Sequence, residues 1–293
     1  MLQTPVLLVV FNRPDTTQRV FDAIREQKPK YLYVAADGPR KNKPGEAEVC
    51  QQVRDIIKQV DWDCEVKTLF HEQNLGCKMA EASAFTWFFE NVEQGIILED
   101  DTLPNPTFFR YCEELLEKYK DDTRIGHISG NNFLPDVIEK GLSYDYGSRP
   151  YAWGWAGWRR AWRNYDVDFP FWETQKNKRS ILFHNKREKI YYSSFIPDTI
   201  YNRNGINTWD TQWIFALRLQ NQLCIYPSIN LVENIGAGHP EAVHMTKKSK
   251  QPSAGIMSFP LTSPLYVLRN KRLDDRSIPF SWKRLVRYIL KMY

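Results

Sequence analysis

Gly95-Ile96-Ile97-Leu98-Glu99-Asp100-Asp101-Thr102-Leu103-Pro104 is the stretch that decides how this chain folds. Its uncharged start reads as a short buried strand. Three carboxylates follow at once, and Thr102-Leu103-Pro104-Asn105-Pro106 cannot continue that strand, because proline brings no N–H to a sheet ladder. Carboxylates crowded at a strand's end repel one another, and a hard divalent cation such as Mg²⁺ or Mn²⁺ relieves the repulsion. Such cations commonly bind through one or two carboxylates and the phosphates of a substrate. Ligands of open α/β sheets lie outside the carboxyl ends of the strands, so the placement suggests a metal-bound nucleotide diphosphate. Taken alone, the triplet fits a solvated acidic turn equally well.

Working outward, the same strand-then-polar-turn pattern recurs upstream. Residues 6–11 form an apolar strand ending at Phe11-Asn12-Arg13-Pro14, 31–35 a strand ending at Asp37-Gly38-Pro39, and 65–70 a third. Between them come helical patterns. Asp15-Thr16-Thr17-Gln18 resembles a capping box opening a helix to about residue 25, and 46–60 places Val49, Val53, Ile56 and Ile57 on one face. Residues 77–91 and 107–120 read as further helices and 124–129 as a strand. This alternation predicts an α/β fold, a mostly parallel central sheet flanked by helices. From about residue 134 the rhythm stops. Residues 144–172 are dense in Trp, Tyr and Arg, a helix is predicted over 210–220, and strand pieces over 224–226 and 230–232, a mixed α+β region. The expected organisation is 1–135, 136–260 and a basic, aromatic tail 261–293.

Composition narrows the function. Of 293 residues, 42% are hydrophobic and 26% charged, enough to bury a large core. The net charge of +5 is mild and no nucleic-acid recognition module is visible, so nucleic acid is not an expected partner. The five cysteines are scattered, with no CxxC pair, which favours reduced apolar fillers and a cytoplasmic protein over a disulfide framework or structural zinc. Ten Trp and fifteen Tyr suit either an aromatic core or flat surfaces for sugar rings.

Several strand ends thus carry polar groups on one rim. Arg13 suits a phosphate or a base edge, and Asp37 a uracil or ribose, although Asp-Gly-Pro is also ordinary turn chemistry. Asn74-Leu75-Gly76-Cys77-Lys78 precedes a helix, where Gly76 allows close approach of an anion and Lys78 adds charge. Together these read as a nucleotide-diphosphate site with a metal.

Residues 6–15, 37–39, 74–110 and 124–133 resemble the nucleotide-sugar-binding half of a GT-A glycosyltransferase. Asn74-Leu75-Gly76, Ile97-Leu98-Glu99-Asp100-Asp101, Phe108-Phe109 and His127-Ile128-Ser129-Gly130 are similar to bacterial cell-surface polysaccharide and lipopolysaccharide transferases related to the N-acetylglucosaminyltransferase I group. Residues 153–162, 208–213 and 231–236 extend the resemblance over most of 5–245. It implies a Rossmann-like GT-A fold, a UDP-sugar donor, a divalent metal (Mn²⁺ or Mg²⁺) and a glycan or lipid-linked glycan acceptor. By the same resemblance Asp101 contacts the metal, Glu99 and Asp100 face ribose and donor sugar, Asp37 reads uracil, Phe11 and Arg13 line the donor site, and Asp210 is the catalytic base.

The chemistry supports a base at Asp210 independently: transfer to a hydroxyl needs a proton acceptor, and Trp209 and Trp213 supply apolar surroundings. A helix N-cap is the plain alternative. One base and direct displacement imply inversion. His244 is the candidate second metal ligand, with His239 its competitor. Trp153, Trp155 and Trp209 are the candidate acceptor platform. Trp282, Leu285, Val286 and Ile289 share a helical face in a basic tail, which suits peripheral contact with an anionic membrane, its inner face if cytoplasmic, or packing on the domain. A sugar nucleotidyltransferase and a non-catalytic carbohydrate-binding protein are the rival readings. The first would carry a glycine-rich basic loop where Phe11-Asn12-Arg13-Pro14-Asp15 stands, and the second has no need of the acidic triplet.

Overall fold

A computed structural model describes residues 1–241, 252–278 and 281–290. Its strands are β1 (Val6–Val10), β2 (Tyr31–Ala36), β3 (Glu65–Phe70), β4 (Gln94–Glu99), β5 (Thr102–Pro104), β6 (Ile125–Ser129), β7 (Tyr144–Gly147), β8 (Trp155–Trp158), β9 (Leu223–Pro227) and β10 (Val232–Asn234). The helices are α1 (Pro14–Gln27), α2 (Glu46–Asp55), α3 (Cys77–Asn91), α4 (Thr107–Lys118), α5 (Arg159–Trp162), α6 (Phe171–Thr174), α7 (Lys186–Ile200), α8 (Asp210–Leu219), α9 (Lys271–Ser277) and α10 (Trp282–Ile289).

Among the described residues eight strands form one sheet in the order β3-β2-β1-β4-β8-β6-β9-β7. β3, β2, β1 and β4 are parallel, β6 and β9 are parallel, and β8 and β7 run antiparallel to their neighbours. The predicted α/β class and mostly parallel sheet are what the chain adopts. Because helices cover both faces, the strands read as unbroken apolar runs. Side chains still alternate: Val6, Leu8 and Val10 join one core with Phe21 of α1 and Leu116 of α4, while Leu7 joins the other with Phe88 of α3 and Trp213 of α8. Ile96, Ile97 and Leu98 are wholly buried, each contributing roughly 1.5–3 kcal/mol of burial.

Two expectations change, and the sheet is seen to run across residue 135. α1 opens on Pro14 at its first position rather than on a capping box at Asp15, and no side chain caps it. Thr102-Leu103-Pro104 leaves the main sheet as expected, yet it forms β5, which pairs antiparallel with β10. The division at residue 135 does not divide the sheet, for β8 is inserted between β4 and β6. The chain after 135 completes the scaffold that the first half begins.

The tail is anchored. Arg287 of α10 pairs with Asp198 of α7 at 2.8 Å, and Arg284 lies 4.5 Å over the rings of Tyr191 and Phe195. The opposite side of α10 leaves Trp282, Val286 and Ile289 exposed. No described helix is long and apolar enough to cross a membrane.

Candidate active site

A cleft of about 620 Å³ opens at the carboxyl ends of β1, β2 and β4. The loops after those strands bring Phe11, Arg13, Asp37, Glu99, Asp100 and Asp101 into it. The start of α3, the segment 206–210 and the chain after β10 supply the other walls. Phe11, Asp37 and Glu99 meet because β1, β2 and β4 are parallel and end on one edge.

The turn after β4 is locked by Thr102, whose hydroxyl accepts from Glu99 N at 2.8 Å and donates to Glu99 O at 3.1 Å. Arg13 reaches across to Asp101 Oδ2 at 2.6 Å and Asp100 at 2.9 Å. Burial works against the guanidinium's charge, but Asp100 and Asp101 more than offset it and hold its pKa above the ordinary range. Arg13 is in the cleft as expected, with its charge engaged by the triplet rather than held open for a phosphate. β10 explains the fit: Ile235 N donates to Asp101 O at 2.8 Å, bringing Gly236 against the pair. A Cβ there would overlap Asp101 Oδ2 and lie 2.6 Å from Arg13 Nη1.

Seven acidic side chains line the cleft: Asp37, Glu81, Glu99, Asp100, Asp101, Asp210 and Glu241. Two are committed elsewhere. Glu241 pairs with Arg40 and Lys43. Asp37 accepts from Gly38 N and Leu75 N at Oδ1, both 2.8 Å, and from Asn74 Nδ2 and Gly76 N at Oδ2, 2.8 and 3.1 Å. Four donors fill the acceptor sites of a carboxylate. Asp37 therefore ties the loop after β2 to the loop before α3. Gly38 is required beside it because a Cβ would overlap the Gln73 backbone.

Of the remaining five, Asp100 and Asp101 pair with Arg13, and Asp210 acts on Arg149. Burial raises the Glu81 carboxyl to about 8, with the charges of Asp101, Asp210 and Asp100 adding and the Cys77 thiol opposing. Burial likewise raises Asp100 to about 7 against the pull of Arg13, and holds Glu99 well above its ordinary value, Glu81 adding to it. Such a site favours a cation. Among the described residues no three His, Cys, Asp or Glu side chains are set to hold a metal by themselves. Among the described residues, however, buried Asp101 Oδ1 has no partner, and one carboxylate oxygen completed by diphosphate and water suits Mg²⁺ or Mn²⁺. His244 lies outside the described residues. His239 points to Asp15, 3.5 Å away.

Asp210 is the first residue of α8, not its cap; Trp209 occupies the cap position and no side chain caps the helix. Asp210 Oδ1 accepts from Thr208 Oγ1 at 2.8 Å and lies in the cleft wall. Trp209 is 2% exposed, packed on Phe85 at 4.7 Å and on Trp155 at 5.8 Å, so it walls the cleft without an open face. Trp155 is on the buried strand β8, stacked on His127, away from the cleft. Of the three tryptophans only Trp153 lines the cleft with exposed surface. Lys78 is also misplaced by the sequence reading: its ammonium is buried and donates to the carbonyls of Thr199 and Ile200 at 2.9 and 3.2 Å. It fastens α3 to the end of α7.

The sequence reading passed over Glu81, Arg40 and Gly236. Glu81 follows the rim residue Cys77 by one helical turn, which was the available signal. Cys77 itself is no inert filler, since its thiol meets Glu81 Oε1 at 3.2 Å. All five cysteines are free.

The site defines an α/β protein with an acidic cleft at the carboxyl edge of a mostly parallel sheet. No family model matches the chain, and no curated protein matches its sequence. Solved structures resemble it in part. HddC from Yersinia pseudotuberculosis is 10% identical over 56% of this chain and 80% of its own, with a TM-score of 0.34. A UDP-glucose pyrophosphorylase complexed with UDP-glucose is 10% identical over 55% of this chain and 78% of its own, TM-score 0.36. A cytidylyltransferase from Leptospira borgpetersenii serovar Hardjo-bovis (strain JB197) is 8% identical over 56% and 63%, TM-score 0.33. Overlaps of that extent carry no functional argument.

Proposed function

We propose that this chain is a metal-dependent glycosyltransferase that moves a sugar from a UDP-sugar to a glycan hydroxyl with inversion, in the synthesis of bacterial surface polysaccharide. The observation that carries the reading is the excess of carboxylates over cations in the cleft, with one buried Asp101 oxygen lacking a partner among the described residues. Asp101 Oδ1 would ligate Mn²⁺ or Mg²⁺. The ion, when bound, supplies positive charge to the diphosphate as it leaves. Arg13 holds Asp100 and Asp101 in place through its two ion pairs. Asp210 takes the proton of the attacking hydroxyl, and Thr208 fixes its orientation. Trp153 offers the ring for an acceptor sugar to stack on. The exposed Trp282, Val286 and Ile289 of α10, with basic residues beside them, support contact with an anionic membrane carrying a lipid-linked acceptor.

The test is transfer from a panel of UDP-sugars to glycan acceptors with Mn²⁺, comparing wild type with Asp210→Asn. The reading expects transfer to fall at least about a hundredfold in Asp210→Asn, the scale of general-base catalysis, while UDP still binds. Unchanged transfer in Asp210→Asn would remove the base. Pyrophosphate release from UTP and a sugar phosphate, with no transfer, would instead favour the nucleotidyltransferase reading.

A further inference from the structure

Glu81 has no part in the mechanism above, yet it lies at the centre of the cleft's charge. It lines the same cleft as Glu99, Asp100, Asp101 and Asp210. It therefore stands in the cleft that the triplet after β4 and the start of α8 share. Among the described residues its carboxyl receives one hydrogen bond, from the Cys77 thiol, a weak donor. Glu81 is half-buried in the cleft wall, so the rest of its carboxyl is open to whatever the cleft holds.

The chemistry of that ligand follows from the position. A diphosphate is repelled by an acid. Asp101 is assigned to the diphosphate side and Asp210 to the incoming hydroxyl. In any displacement, the group between leaving diphosphate and attacking hydroxyl is the transferred sugar. A sugar presents neutral hydroxyls, which donate to a carboxylate and also pair with a protonated carboxyl.

We infer that Glu81 receives hydroxyl hydrogen bonds from the sugar of a UDP-sugar and sets which sugar the cleft accepts, an assignment that rests on the glycosyltransferase reading. Cys77 positions it by holding Oε1, leaving Oε2 for the ligand.

The test is calorimetric titration with Mn²⁺ of UDP, UDP-glucose, UDP-galactose, UDP-N-acetylglucosamine and UDP-N-acetylgalactosamine. It is run on wild type, Glu81→Ala and the near-isosteric Glu81→Gln, with thermal melts to confirm folding. UDP affinity should stay within about twofold in both variants. The ratio of UDP-sugar to UDP affinity should fall about tenfold or more in Glu81→Ala for the preferred sugar, the scale of an unpaired hydroxyl, and less in Glu81→Gln. The order among the four sugars should flatten. Ratios unchanged for all four sugars, with UDP still bound, would overturn the assignment alone. Failure of UDP to bind wild type would overturn the reading beneath it.

Discussion

Gly236 shows how tightly single residues define this cleft. It is the point where the chain after β10 presses on the Arg13–Asp101 pair, with no room for a methyl group. Gly236→Ala should push the pair aside and weaken metal-dependent UDP binding about tenfold, roughly 1.4 kcal/mol, by titration. Undiminished affinity would show that the pair's placement does not matter. The carboxyls make a second prediction at this scale. Folded Glu81 and Asp100 titrate at about 8 and 7, against 4.5 and 3.8 as ordinary values. From pH 6.5 to 8.5 the folded protein gives up protons that the unfolded chain has already lost, so stability falls as pH rises. Buried His127, lowered to about 3, and the exposed His184, lowered to about 4, act in the opposite sense only below about pH 6.5, where the unfolded chain protonates. Melting temperature without metal should therefore decline across pH 6.5–8.5, less steeply in Glu81→Gln. A flat profile for wild type would contradict the crowding of charge described here.

Among the elements, the loops around Asp37 and the helix α10 make opposed points about what sequence discloses. Asp37→Asn should destabilise the chain by about 2 kcal/mol in urea unfolding, since a carboxylate accepting backbone and amide N–H groups is replaced by an amide that cannot accept as many. If instead stability holds while UDP affinity drops, Asp37 is a ligand-reading residue after all. The sequence identified Asp37 as lying on the rim, because a strand end followed by Asp-Gly-Pro is legible locally. It did not disclose that three donors from a loop 37 to 39 residues away join the neighbouring Gly38 N in filling it. Lys78 and Trp155 were misjudged for the same reason: their partners, the end of α7 and His127 on β6, are contacts between distant segments. The amphipathic pattern of α10 was legible, and the structure adds its anchorage through Arg284 and Arg287. Co-sedimentation with phosphatidylglycerol vesicles should be lost on Trp282→Glu with Val286→Glu and weakened by high salt. Equal sedimentation with and without the two changes would refute the membrane contact.

For the whole molecule, the sheet was legible because parallel strands covered on both faces must be apolar throughout, and the runs 6–11, 31–35 and 95–98 have that composition. The insertion of β8 between β4 and β6 was not, since Trp155-Ala156-Gly157-Trp158 is short, aromatic and without alternation. That insertion makes the two halves one scaffold, so the acidic triplet and Asp210 hold their places relative to each other. The central claim is that this scaffold holds a nucleotide diphosphate through a cation at Asp101. Calorimetric titration of UDP into wild type and Asp101→Ala, with Mn²⁺ and with chelator, tests it most directly. The account predicts binding to wild type that needs Mn²⁺ and falls at least about tenfold in Asp101→Ala. Equal binding with chelator, or to Asp101→Ala, would contradict it.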